Sequence, residues 1–152
     1  MLLQNQVDGI IVGSHDRRIF DQVLTRLPIV AIDQYISDSA PIVSSDNYLG
    51  GNLATEHLIK KDCKTIIHMD GPASLKTPIH LSTSVYKDVM EVCGFTPIIY
   101  ETNQSLNSKV YHELITQIFL ENPDIDGIFA SDDILATNIY YKALSLIINV
   151  PD

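Results

Sequence analysis

The stretch IDGIFASDD at residues 125–133 and the stretch VDGIIVGSHD at residues 7–16 share one pattern. In each, an Asp-Gly pair precedes a short apolar run, and polar residues then lead into a helical pattern. A short apolar run between turn signals is typical of a buried strand. Because Asp-Gly before a strand is also ordinary turn chemistry, an incidental likeness stays open at this point. Two similar units in one chain favour two similar lobes whose strand ends face each other.

Around these two stretches, strand patterns alternate with helix patterns. The apolar runs predict strands over Val7–Val12, Ile29–Ile32, Ile42–Ser44, Thr65–Met69, Thr96–Tyr100 and Gly127–Ala130. The 3.6-residue periodicity predicts helices over Arg17–Arg26, Tyr48–Lys61, Ser82–Val92, Lys109–Leu120 and Ile134–Ile147. This alternation predicts an α/β fold with parallel sheets and right-handed crossovers. Ligands of such folds bind beyond the carboxyl ends of the strands, so functional residues are expected there.

Composition narrows the class of protein. The chain has 152 residues, is 45% hydrophobic and carries a formal net charge of −9, which suits one core or two small α/β lobes. An acidic surface repels phosphate, so this stretch by itself is not expected to bind DNA or an anionic membrane. The sequence shows neither a membrane-spanning run nor a secretory signal, and Cys63 and Cys93 match no metal or redox spacing. We therefore expect a cytoplasmic protein with reduced thiols.

Polar residues concentrate at the predicted strand ends. The set comprises Ser14, His15, Asp16, Asp33, Gln34, Asp46, Asp70, Ser131, Asp132 and Asp133. Carboxylates and amides accept hydrogen bonds from vicinal hydroxyls, which suits a sugar. The alternative is helix capping, and it is favoured for Asp46 and Asp133. No clear helix follows Asp33, so a role in a ligand cleft is favoured for this residue.

Catalytic patterns do not emerge from the sequence. The five histidines have no metal-ligand spacing, and no serine lies in a nucleophile elbow. Glycine-rich phosphate loops are not found either. The carboxylates could form an acid–base pair, but their spacing does not select that role over ligand binding. We therefore expect a binding protein without cofactor or metal, and a small α/β hydrolase is the less favoured class.

The ordered set of motifs resembles the LacI/GalR family and the related periplasmic ribose-binding proteins. The motifs that carry the resemblance are VDGIIVG (7–13), PIVAIDQ (28–34), VSSDNYLGG (43–51) with Ala54 and His57-Leu58-Ile59, KTII (64–67) with Gly71-Pro72, DGIFASDDILA (126–136) and VPD (150–152). Each is weak by itself. Six of them in the family's order, running almost from end to end, make chance similarity improbable.

The resemblance implies a periplasmic-binding-protein-like type I fold, with two Rossmann-like lobes that this chain contains incompletely. Residues 1–62 are assigned to the N-terminal lobe and residues 63–152 to the C-terminal lobe. The implied function is the effector-sensing core of a LacI-type transcriptional repressor. The core would be truncated at both ends and would reach operator DNA only through a helix-turn-helix domain absent from this chain.

The resemblance also implies a homodimer, with the predicted helix Arg17–Arg26 and the end of helix Ile134–Ile147 facing the partner. No membrane partner is expected. The alternative is the solute-binding protein of a sugar ABC transporter, which has the same fold and is exported.

At several positions where the family contacts its ligand, this chain has a residue of different chemistry. Asp33 and Gln34 stand where the family has Asp-Arg, Asp132 stands where it has Asn, and Ser82 where it has Arg. His80 is expected to substitute for that arginine, and Thr77 lies where a hydroxyl contact is usual. His15, at the end of the first strand, completes the expected set. These departures make the site more acidic, so a neutral polyol, sugar or amine-bearing effector is expected rather than a phosphate or carboxylate.

Overall fold

The computed structural model describes residues 7–13, 27–73, 77–102 and 108–150. The predicted helix Arg17–Arg26 lies outside the described residues, as do Ser14, His15 and Asp16. A first parallel sheet has the strand order β1 (Ile10–Val12), β2 (Ile29–Ile32) and β3 (Ile42–Val43). In the described ranges, no helix is both long and apolar enough to cross a membrane.

A second parallel sheet has the order β5 (Ile98–Glu101), β4 (Ile66–Asp70) and β6 (Gly127–Ala130). Four helices accompany it, namely α1 (Asn47–Lys60), α2 (His80–Val92), α3 (Ser108–Glu121) and α4 (Asp133–Ser145). The predicted α/β class, the parallel sheets and the two lobes are confirmed.

Most element boundaries differ from the predicted ones by one to three residues, and at the starts of β1 and α2 a proline accounts for the difference. Strand β1 begins at Ile10 rather than Val7, where Ile10 N donates to the Pro28 carbonyl at 2.9 Å. Strand β2 starts only after Pro28, so residues before Ile10 have no ladder partner. Helix α2 begins at His80 rather than Ser82, because proline fits a first helical turn and Leu81 N donates to the Pro78 carbonyl.

Strand β4 is the centre of the molecule's largest core. All five of its residues are buried. On one side Ile67 and Met69 pack with buried residues of α3 and α4, which are Ile115, Ile118, Leu135 and Ile139. On the other side Ile66 packs with Tyr86 and Met90 of α2. Both faces of this central parallel strand are covered, so its polar residues His68 and Asp70 are buried together with its apolar ones.

Helix α1 packs with the second sheet. Its Leu58 and Ile59 pack against the core of Ile66, Tyr86 and Met90. A Cβ added at Gly51 would lie 2.6 Å from Val85 Cγ1 and 2.8 Å from Ser82 Cα, so α1 and α2 approach closely there. The structure thus groups α1 with β4 and α2.

In the described part of the chain, the first sheet has a small core on one face. Val12, Ile29, Ala31 and Ile36 form it. On the opposite face Ile11 is 74% exposed and Val43 is 61% exposed. Alternate residues of a strand point to opposite faces, so among the described residues one face of this sheet carries the core and the other carries exposed side chains.

Candidate functional site

The carboxyl ends of β4, β5 and β6 lie side by side. Thr102 N donates to the Asp70 carbonyl at 2.9 Å, and Ser131 N donates to the Met69 carbonyl at 2.9 Å. The residues that follow these strands therefore line one edge of the second sheet. This is the edge at which open parallel α/β sheets bind ligands.

Asp70 is the buried carboxylate at this edge. Its side chain is 3% exposed, and His80 Nδ1 lies 2.9 Å from its Oδ2. The Thr83 hydroxyl donates to the same oxygen, and Gly71 N donates to Oδ1 at 2.7 Å. Burial would raise the pKa of Asp70, but the hydrogen bonds from Thr83, His80 and Gly71 outweigh it and lower the pKa below its usual value. The strand end thus holds a carboxylate that stays charged.

His68 continues this arrangement into the interior. Its Nδ1 lies 2.9 Å from the Phe129 carbonyl oxygen and its Nε2 lies 2.9 Å from Thr83 Oγ1. Its ring stacks on Phe129 with centroids 4.4 Å apart. Burial lowers its pKa, with a partial offset from the Phe129 hydrogen bond and the charge of Asp70.

The sequence predicts Asp70 at this edge, but it does not predict the roles of His68 and Thr83. One signal was present. His68 and Asp70 are two residues apart in an otherwise apolar strand, and this spacing places both side chains on one face.

Two buried polar atoms have no hydrogen-bond partner in the described part of the chain. They are Gln34 Nε2 and Thr77 Oγ1. Gln34 is 5% exposed and follows β2, whereas Thr77 precedes α2. A buried donor without a partner costs about 1–3 kcal/mol, so these atoms favour a partner from outside the described part of the chain. Both belong to the set predicted for the effector site.

Asp33 lies at the end of β2 with an unusual backbone. Its φ is 53°, in the left-handed region that non-glycine residues rarely adopt. Its Oδ1 is 3.4 Å from Ser45 N, in the segment that leads from β3 into α1. Asp33 therefore lies beside the chain that passes from the first sheet to the second. Strained conformations of this kind concentrate at functional sites.

Capping accounts for part of the polar set. Asp46 Oδ1 accepts from Leu49 N at 2.9 Å, which confirms its predicted cap role. The predicted cap at Asp133 is wrong, because Asp132 is the extended residue whose side chain accepts from Leu135 N at 2.7 Å. Asp133 follows as an acidic residue in the first turn, where it opposes the helix dipole.

Ser82 is buried inside its own helix. It is 5% exposed, and its hydroxyl donates to the Ile79 carbonyl at 2.6 Å. His80 is more accessible, with its side chain 28% exposed. Among the described residues, no group of three or more His, Cys, Asp or Glu side chains is placed to hold a metal ion.

The chain resembles known proteins over nearly all of its length. Residues 1–145 match the family model for periplasmic binding proteins and the sugar-binding domain of the LacI family. The sucrose operon repressor of Lactococcus lactis is 40% identical over 139 residues, covering 90% of this chain and 42% of that protein. The ribose operon repressor of Halalkalibacterium halodurans is 32% identical over 152 residues, covering 99% of this chain and 45% of that protein. The chain thus spans less than half the length of these relatives.

A solved structure agrees with these relatives. A periplasmic binding protein/LacI transcriptional regulator from Alkaliphilus metalliredigens, complexed with D-xylulofuranose, matches with a TM-score of 0.78 and 26% identity. The match covers 99% of this chain and 55% of that chain. Fold, family match and relatives agree, and the chain belongs to the family of periplasmic binding proteins and LacI-type sugar-binding domains.

Proposed function

We propose that this chain forms part of the effector-sensing core of a sugar-responsive transcriptional repressor. The observation that carries the binding role is the pair of buried polar atoms, Gln34 Nε2 and Thr77 Oγ1, that have no partner among the described residues. A hydroxyl group accepts from the amide nitrogen, and a second one pairs with the threonine hydroxyl. The relatives named as ribose and sucrose operon repressors support this role over that of a transporter component. The proposed role is binding without catalysis.

A neutral effector fits the charges at the strand ends. Asp33 and Asp132 place two exposed carboxylates after β2 and β6, and Asp70 adds a buried one. Carboxylates at a cleft repel phosphate and carboxylate ligands. Sugars supply several neutral hydroxyls that both donate and accept. We therefore place a sugar or polyol ahead of an anionic effector.

The proposed contacts are Asp33, Gln34, Thr77, His80 and Asp132. Ser82 acts through the position of α2, because its hydroxyl already donates to the Ile79 carbonyl. The resemblance places an arginine contact at the position of Ser82, and we propose that His80 makes this contact instead. The contact predicted for His15 stays a prediction.

The lobe boundary belongs before α1 in this proposal. The polypeptide then passes from the first lobe to the second at residues 44–46, beside Asp33. An effector bound to Asp33 would lie beside the segment that joins the lobes, so its binding would be coupled directly to their closure. Differential affinity for open and closed states is what effector-controlled repression requires.

Partners beyond the effector follow from the family. The net charge of −9 disfavours direct contact of this chain with DNA, so operator binding is assigned to a helix-turn-helix domain outside it. We propose a cytoplasmic homodimer. The apolar side chains exposed on α4 and just after it are available for such a contact, and include Ile134, Tyr141, Leu144 and Ile147.

A thermal-shift and calorimetric screen of the chain tests the proposal. The ligands are sucrose and D-ribose, with ribose 5-phosphate as the anionic comparison. We expect a neutral sugar to bind and ribose 5-phosphate to bind at least tenfold more weakly. Gln34→Leu and Thr77→Val each remove one hydrogen bond, so each is expected to weaken sugar binding by roughly 3- to 10-fold.

Matched controls use surface positions with their own intrahelical bonds. Asn138 Nδ2 donates to the Ile134 carbonyl and Thr137 Oγ1 donates to the Asp133 carbonyl. Asn138→Leu and Thr137→Val are expected to bind sugar as the parent chain does. The proposal is wrong if neither sugar binds, or if Gln34→Leu and Thr77→Val leave the affinity unchanged.

A further inference from the structure

A continuous series of hydrogen-bonding contacts joins the interior of the second lobe to its ligand-binding edge. His68 Nε2 lies 2.9 Å from Thr83 Oγ1, Thr83 Oγ1 contacts Asp70 Oδ2, and His80 Nδ1 lies 2.9 Å from Asp70 Oδ2. We call these four residues the polar relay. It runs from a fully buried imidazole to one that is 28% exposed.

Counting hydrogens shows that the relay is one proton short in its ordinary charge state. The Phe129 carbonyl only accepts, so His68 Nδ1 carries a hydrogen. A neutral His68 then has no hydrogen on Nε2, and a charged Asp70 has none either. The Thr83 hydroxyl lies between them with a single hydrogen. It can therefore complete the contact with His68 or the contact with Asp70, but not both.

One added proton completes the relay. On His68 Nε2 it donates to Thr83 Oγ1, whose own hydrogen then goes to Asp70. On Asp70 Oδ2 it donates to Thr83 Oγ1, whose hydrogen then goes to His68 Nε2. In either arrangement both Thr83 contacts are hydrogen bonds. Since Thr83 lies on α2 and the other two residues lie on β4, the proton adds one hydrogen bond between helix and sheet, and the burial that lowers the pKa of His68 opposes its uptake.

The described elements around the relay carry other titratable side chains. On β5 Glu101 pairs in register with Asp70, and its Oε2 accepts from Ala73 N at 3.2 Å. Strand β6 contributes no titratable side chain. On α2 the Tyr86 hydroxyl donates to the Ile66 carbonyl, and Lys87 and Asp88 are exposed. On α1 Glu56 pairs with Lys60 at the surface. Each of these described groups has a partner of its own or lies at the surface.

We propose that Asp70 and Thr83 are positioning residues for His80, and that protonation of the polar relay strengthens effector binding. This rests on the proposed function, because His80 is a proposed effector contact. Asp70 is too buried to reach an effector, so it acts through the imidazole that it orients. Completing the Thr83 contacts holds α2, and with it His80 as its first residue, against β4.

The test compares sugar affinity across pH in the parent chain and in Thr83→Val, which keeps the side-chain shape and removes the hydroxyl. With sucrose or D-ribose, whichever binds, the parent's Kd is expected to rise between about pH 5 and pH 8, by up to tenfold per pH unit where one proton titrates. Thr83→Val is expected to bind more weakly at low pH and to show a flatter profile. Thr137→Val, a helical threonine outside the relay, should keep the parent profile. Superimposable profiles for the parent and Thr83→Val overturn the proposal.

A second readout needs no effector and separates this proposal from the proposed function. Nuclear magnetic resonance of the imidazole nitrogens follows the titration of His68 and the tautomer of His80. Thr83→Val and Asp70→Asn are expected to lower the pKa of His68 relative to the parent, and Asp70→Asn to change the His80 tautomer. If the parent binds no sugar but these shifts occur, the proposed function fails and the relay stands. If His68 titrates identically in all variants, the relay is wrong even when sugar binds.

Discussion

The two sheets have the same parallel design but differ in how they are covered. Strand β4 of the second sheet has helices on both faces, and Ile67 at its second position is fully buried. Strand β1 of the first sheet places Ile11 at its second position, and that side chain is 74% exposed. Two strands that both begin with Ile-Ile therefore contribute differently to the free energy of unfolding. A strand's contribution to stability is set by what covers its faces, and the run of β-branched residues does not reveal this.

The largest expected loss of stability comes from truncating a buried side chain in the second sheet. Ile67→Ala removes buried methyl groups and leaves a cavity, so the free energy of unfolding should fall by about 2–5 kcal/mol. Ile11→Ala removes a side chain that is already mostly in water and should cost less than about 1 kcal/mol. Urea denaturation followed by circular dichroism measures both. Equal losses in the two variants would show that Ile11 is covered in solution, and would contradict the difference in burial between the two sheets.

The second effect concerns the helix pair that covers one side of β4. Gly51→Ala places a Cβ 2.6 Å from Val85 Cγ1 and 2.8 Å from Ser82 Cα, and such overpacking costs about 1–3 kcal/mol. Gly50→Ala is the matched control, because no heavy atom lies within 4 Å of the added Cβ. It should stabilise the helix by up to about 1 kcal/mol. The same sign of change in both variants would contradict the close contact between α1 and α2.

A smaller effect should distinguish the true cap of α4 from its neighbour. Asp132→Ala removes the acceptor for Leu135 N and should cost about 0.5–2 kcal/mol. Asp133→Ala removes only a favourable charge in the first turn, worth about 0.3–1 kcal/mol. Thermal unfolding of the two single variants gives the order. A larger loss of stability from Asp133→Ala would show that Asp133 is the N-cap of α4, as the sequence predicted.

The smallest effect is expected in mild acid. Burial lowers the pKa of His68 below its usual value of 6.5, so folding favours the neutral ring. The stability it contributes is complete above pH 6.5 and is lost as pH falls through its folded pKa. Asp70, whose pKa is lowered from 3.8, adds a second loss only in stronger acid. Urea midpoints between pH 8 and pH 5 should fall in the parent and stay flatter in His68→Gln. An equal decline in both would assign the mild-acid loss to another group.

Much of the fold was predictable from sequence because its signals are local. Strand β6 begins and ends where the apolar run after Asp126 predicted, and the Asp46 cap follows from the helix start alone. The start of β1 was not predictable in this way. It depends on the partner strand β2, which begins only after Pro28, and a pairing of this kind lies outside any local window.

The candidate site was less predictable, for a related reason. The sequence indicated which residues follow strands but gave no measure of which side chains already have partners. Ser82 and Asp132 bond to their own helices, whereas Gln34 and Thr77 carry buried atoms without a partner in the described chain. Thr83 joins the site only because α2 packs over β4. Contacts between distant elements decide these differences.

The close approach at Gly51 also constrains how this sequence can change. Positions 51, 82 and 85 share one small volume between two helices, so a larger side chain at one of them needs a smaller one at another. Homologues that carry a bulkier residue at the position of Gly51 should therefore carry a smaller one at the position of Val85, or hold the helices farther apart. A larger spacing would move the first turn of α2, and with it the imidazole at the ligand-binding edge. On the proposed function, effector preference can therefore drift through substitutions at positions 51 and 85, which are not among the proposed effector contacts.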